Sequence, residues 1–183
     1  MAWQRHIPKG LNEGSEQMAD KPDKPAVPAS SQRTLLCVID DSEELSQALR
    51  FACRRANSTN ARMALLYVIP PTEFQHWASV GDRMKEEARE KAEELLNVVA
   101  SLVQKRTGRT PVVYIREGKP EQELITLINE HEDISLLILG ASSGSAGPGP
   151  LVSYLLKEMA GMLRVPVTVV PGALTDEQID AIS

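Results

Sequence analysis

Five short stretches of this 183-residue chain are nearly unbroken runs of Val, Ile and Leu, and longer segments of helical period separate them. The runs occupy residues 34–39, 63–68, 111–115, 134–139 and 165–170. A strand with one face in water alternates apolar and polar side chains, whereas a strand covered on both faces does not. The pattern therefore calls for parallel strands with helices on each side, in the order β-α-β-α-β-α-β-α-β. Right-handed crossovers leave few topologies for such a chain, and a flavodoxin-like strand order or a close relative is expected. The fold class is α/β: a five-stranded parallel open sheet between two helical layers.

The intervening segments carry helix signals. Asp41 is placed to cap the first helix, with Glu44 three residues on and Leu45, Ala48, Leu49, Ala52 and Ala56 recurring on one face. A second helix is expected over 82–105, with Met84, Ala88, Ala92, Leu95, Val99 and Leu102 as its stripe and a solvated charged face that pairs Glu87 with Lys91. Pro120 opens a third, which buries Leu124, Leu127 and Ile128. A fourth follows Pro150, uses Leu151, Leu155, Met159 and Met162, and stops near Gly161. Thr175 and Gln178 have capping-box spacing, so a short tail helix follows with Ile179 and Ile182 inward. Residues 1–32, with four prolines among Lys, Asp, Ser and Gly, read as a disordered lead-in; 33–172 form the domain and 173–183 the tail.

Composition excludes several classes. Hydrophobic residues at 42% and charged residues at 25% are ordinary for a soluble globular protein. No apolar run is long enough to cross a bilayer, and the first residues lack a signal-peptide core, so a cytoplasmic location is expected. Twenty Lys and Arg against 25 Asp and Glu leave a net charge of −5, which argues against sequence-independent nucleic-acid binding. Cys37 and Cys53 lie in apolar patterns with no CxxC pairing and read as buried core thiols. His6, His76 and His131 lack metal-ligand spacing.

In an open parallel sheet, ligands gather beyond the carboxyl ends of the strands where the strand order reverses. The rim residues are then 40–42, 70–74, 116–119 and 140–150. The last stretch, Gly140-Ala-Ser-Ser-Gly-Ser-Ala-Gly-Pro-Gly-Pro150, is rich in small residues and precedes a helix, a combination that lets backbone N–H groups approach an anion. It is neither a Walker loop nor a G-x-G-x-x-G turn. Asp40, Asp41, Glu43 and Glu44 follow the first run; they suit a helix N-terminus, a Mg²⁺ site or acceptors for a base or ribose. Residues 74–77 read as a loop plug, with a mobile lid over the crevice as the alternative. No nucleophile and base stand at readable spacing, so no enzyme activity is expected, and His131 falls at the wrong strand ends to serve Ser142 or Ser143.

Several segments together resemble the universal stress protein family: Val38-Ile-Asp-Asp-Ser42 before a helix, Leu65-Leu-Tyr-Val-Ile69, Ile138-Leu-Gly-Ala-Ser-Ser143, and the closing Val165-Pro-Val-Thr-Val-Val170. The resemblance spans residues 33–172. It implies an adenine-nucleotide α-hydrolase-like sandwich that forms a homodimer through the last strand (Val165, Val167, Val169) and, in one branch, binds ATP or AMP. In that branch Asp40, with Asp41 beside it, would contact the adenosine and backbone near Val68 the adenine. The phosphates would lie on a G-x2-G-x9-G-[ST] loop. Here that spacing starts at Gly140, passes Ser142, and reads Ser143, then Ser153 and Tyr154, so only the first glycine is kept.

Serine at the glycine positions adds a Cβ, Tyr154 fills space, and Pro148 and Pro150 each remove an N–H. These departures favour a regulatory, stress-response protein that acts through dimerisation and a protein partner or weak adenine-nucleotide binding. The alternative is an ATP-binding member with slow hydrolysis. A phosphoacceptor receiver domain fits Asp40 and Asp41 alone, because Ile115-Arg-Glu-Gly118 supplies no acceptor aspartate. A pyrophosphate-gripping α-hydrolase needs glycines that Asp40-Asp-Ser-Glu43 lacks.

Overall fold

A computed structural model describes residues 32–71, 78–144, 147–159 and 161–183. The expected lead-in up to residue 31 and the 74–77 plug lie outside the described residues. Five strands form one parallel sheet: β1 (Thr34–Val38), β2 (Arg62–Ile69), β3 (Val112–Glu117), β4 (Ile134–Ala141) and β5 (Val167–Pro171). Their order is β3-β2-β1-β4-β5. This is a close relative of the flavodoxin order, with the third strand at an edge instead of beside the first. The chain steps outward from β1 to β2 to β3, then crosses back to the other side of β1. Crossovers of one hand therefore place the first two helices on one face and the next two on the other.

The helices are α1 (Leu45–Thr59), α2 (Ala78–Thr107), α3 (Pro120–Glu130), α4 (Pro150–Tyr154), continued by a π-helical turn over Leu155–Met159, and α5 (Asp176–Ile182). Alternate strand residues feed two separate cores, as a two-residue side-chain period requires. Leu35, Cys37, Met63, Leu65 and Ile138 pack with Ala48, Leu49, Ala52, Leu96 and Val103 of α1 and α2. Leu36, Leu66, Leu137 and Leu139 pack with Leu124, Leu127 and Ile128 of α3 and with Val152 and Leu155 beyond it. Burying each such leucine contributes roughly 1.5–3 kcal/mol. Both cysteines are buried free thiols, as expected, and burial, with Cys53 and Asp40 adding to it, pushes the Cys37 thiol far up.

Several local expectations change. Only β1, β2 and β4 are covered on both faces; β3 and β5 are edges and stay half-exposed, with Val113 40% accessible. Val165 is buried but precedes β5, because Pro166 delays the strand to Val167. Asp41 does not cap α1. The chain turns at Asp40, whose Oδ1 accepts from the Ser42 N–H and hydroxyl, and α1 begins after Glu44. α2 is longer than expected, adds Leu96 and Val103 to its buried side, and its i,i+4 ion pairs are Arg83–Glu87 and Arg89–Glu93. Met162 and Ile182 are exposed, at 75% and 61%. The capping box of α5 forms as expected, and Ile179 inserts fully into the α1 side.

Candidate functional site

The strand-order reversal at β1 leaves a crevice of about 520 Å³ at the carboxyl ends of β1 and β2. Its floor is Val38, Ile39, Leu66 and Val68; Asp40 stands at the mouth. One wall is the first turn of α3, with Pro120, Glu121 and Leu124, and the other is α4, with Pro150, Leu151 and Tyr154. Both wall helices begin with proline, which presets the first helical φ and offers no N–H at that position. Apolar walls, a few polar groups and this volume are the attributes of a small-molecule pocket.

Of the eight residues singled out from sequence, the structure brings Asp40, Val68 and Tyr154 together in this crevice. One Asp40 oxygen, Oδ1, accepts from the Ser42 N–H and hydroxyl, which ties the carboxylate to the turn at the crevice mouth. The other five stand elsewhere. Asp41 is exposed outside the lining, where it and Asp40 reinforce burial in pushing the Tyr67 phenol up, so Tyr67 stays neutral.

Gly140 faces α1: a Cβ there would lie 3.0 Å from Glu44 Cγ, which makes it a close-packing glycine on the face away from the crevice. The Ser142 hydroxyl accepts from the Gly144 N–H at 3.3 Å, and Ser143 is exposed. Ser153 is half-buried, and its N–H donates to the Gly149 carbonyl.

Gly147 and Gly149 hold positive φ of 93° and 97°, values that a side chain disfavours, so the small-residue loop has a backbone reason for two of its glycines. His131 caps the far end of α3 beside Tyr114, at the opposite end of β4 from Ser142. Among the described residues no group of His, Cys, Asp and Glu could hold a metal ion.

Sequence reasoning missed Leu66, Pro120, Glu121 and Leu124. The rim stretch 116–119 stops just short of the α3 turn that forms the wall. The signal was present in Pro120 itself, a helix start that places the next residue at the same rim.

The sequence profile of the universal stress protein family matches residues 32–171. Comparison with curated protein sequences gives no match. Among solved structures, the universal stress protein UspA from Lactobacillus plantarum superposes with a TM-score of 0.65 at 19% identity, over 75% of this chain and 97% of its own. The universal stress protein from Archaeoglobus fulgidus in complex with dAMP gives 0.55 at 16% identity, over 76% and 97%. A universal stress protein family protein from Arabidopsis thaliana with AMP bound gives 0.52 at 16%, over 76% and 91%.

Proposed function

The chain belongs to the universal stress protein family, and we propose that it is a regulatory stress-response protein that works as a homodimer and binds adenine nucleotides weakly, without turnover. The observation that carries this reading is the convergence of Asp40, Val68 and Tyr154 on one crevice at the β1–β2 rim. The apolar lining around Val68 suits a planar base, and a carboxylate such as Asp40 accepts from a sugar hydroxyl. The dAMP and AMP complexes of similarly folded proteins support the ligand class. The degenerate loop, with Ser143, Ser153 and Tyr154 where glycines and a small hydroxyl residue would stand, supports weak binding.

Dimerisation through β5 is supported by the contrast between the two sheet edges. β3 carries Arg116 and Glu117, charged side chains of the kind that discourage edge-to-edge pairing, whereas β5 reads Val-Thr-Val-Val-Pro. A cytoplasmic location accords with two free buried thiols. Among the described residues no helix is long and apolar enough to cross a membrane.

Calorimetric titration with AMP tests the ligand reading. Binding with Kd of about 10–1000 μM, lost in Asp40→Ala, is expected. No heat at millimolar AMP would leave a protein that acts through its dimer and a partner alone.

A further inference from the structure

Among the described residues, the crevice lining has charge of one sign only. Its described lining residues include two carboxylates, Asp40 at the mouth and Glu121 on the α3 wall, and no Lys or Arg. Lys119, two residues before Glu121, is exposed and outside the lining.

The features that usually welcome an anion are blunted at both walls. The N-terminus of α3 would attract phosphate through its free N–H groups and dipole. Here Pro120 removes the first N–H, and the first turn carries its own counter-charges, Glu121 and Glu123. Glu123 folds back over Gly118, where a Cβ would meet its Oε1 at 2.8 Å, while Glu121 lines the crevice. The N–H groups of Gln122 and Glu123 both point at the Lys119 carbonyl, 3.0 Å away. On the opposite wall Pro150 again offers no donor, and the next crevice residues are Leu151 and Tyr154.

From this arrangement we propose that the crevice selects an uncharged adenine nucleoside over its phosphorylated forms, and that Glu121 is the residue that sets this selectivity. The inference rests on the adenine reading above and goes beyond it: the base and sugar supply the affinity, and each added phosphate charge meets Glu121, half-buried on the α3 wall, and Asp40, exposed at the mouth. Like charges in such surroundings repel by enough to change affinity about ten-fold. Glu121 touches no reacting group; it acts on specificity.

The full chain is titrated with adenosine, AMP and ATP in metal-free buffer, at low and at high salt, for the unaltered protein and Glu121→Gln. The affinity order adenosine, AMP, ATP is expected, with ATP weaker by about ten-fold and the gap narrowing at high salt as screening shortens the repulsion. Glu121→Gln tightens ATP several-fold more than it changes adenosine, and a circular-dichroism spectrum and unfolding midpoint matching the unaltered protein show that the variant is folded. ATP binding as tightly as adenosine in the unaltered protein overturns the inference, as does an equal change for all three ligands in the variant. Absence of binding by any of the three at millimolar concentration defeats the adenine reading itself, a distinct result.

Discussion

Gly140 of β4 and Glu44 at the start of α1 stand so close that a methyl group on the glycine would lie 3.0 Å from Glu44 Cγ and 3.2 Å from its carbonyl oxygen. Gly172, just past β5, repeats the relationship: its Cβ would lie 2.8 Å from Glu44 Cβ. Glu44, the residue that leads into α1, is thus packed against two glycines. Gly140→Ala and Gly172→Ala each destabilise the fold by about 1–3 kcal/mol, read from urea unfolding. Glu44→Ala removes Cγ and restores part of the Gly140→Ala loss, but none of the Gly172→Ala loss, because the Glu44 Cβ remains.

Cys37 and Cys53 are buried on the α1 side, and burial is the leading cause that raises both thiols. Reactivity follows the exposed thiolate. A thiol reagent at neutral pH therefore labels neither cysteine in the native protein and both in urea. Rapid labelling of either one without denaturant contradicts the packing described.

α5 is held by Arg50, which bridges Asp176 at 2.9 Å and Asp180 at 2.8 Å, and by Arg54, 3.1 Å from Asp180. The hydrogen bond from Arg50 lowers the Asp180 carboxyl from its ordinary value; for Glu177 the causes are a backbone hydrogen bond and the Thr175 hydroxyl. Groups with depressed values stabilise the docked helix fully above the ordinary carboxylate range, about 4, and lose that contribution as pH falls through the folded value. Amide protection factors in α5 hold steady down to that range and fall below it. Asp180→Asn lowers protection at neutral pH and flattens this acid dependence.

The uncharged edge of β5 gives an assembly prediction. Val167→Lys places a charge on that edge and converts the expected dimer to a monomer in light scattering, with a lower unfolding midpoint, because the subunit contact and part of the Val167 packing on the α3 side are both lost. A stable monomer for the unaltered protein at micromolar concentration contradicts assembly through this strand.

The central strands were legible because Leu35 to Val38, Met63 to Leu66 and Leu136 to Leu139 are apolar on consecutive residues, which only a doubly covered strand requires. The same reasoning overstated β3 and β5. An apolar run does not distinguish a covered strand from an edge strand that keeps its apolar side chains in the open. Asp41 looked like a cap because Glu44 stands three residues on; the chain instead turns at Asp40, held by Ser42, and α1 starts only after Glu44.

At the site, strand ends located the rim, and Asp40, Val68 and Tyr154 met there. Gly140 was read as a loop glycine since spacing is blind to face; in β4 it points at α1, where Glu44 leaves no room for a side chain. Glu121 was missed because it lies inside a helix, and rim reasoning looks only at loops.

The most direct measurement is a crystal structure of the chain grown with saturating AMP. Density for the base is expected against Val68 between the α3 and α4 walls, with the sugar beside Asp40 and the phosphate turned outward from Glu121. Ligand density anywhere else, or a crevice without ligand density at saturation, contradicts that placement.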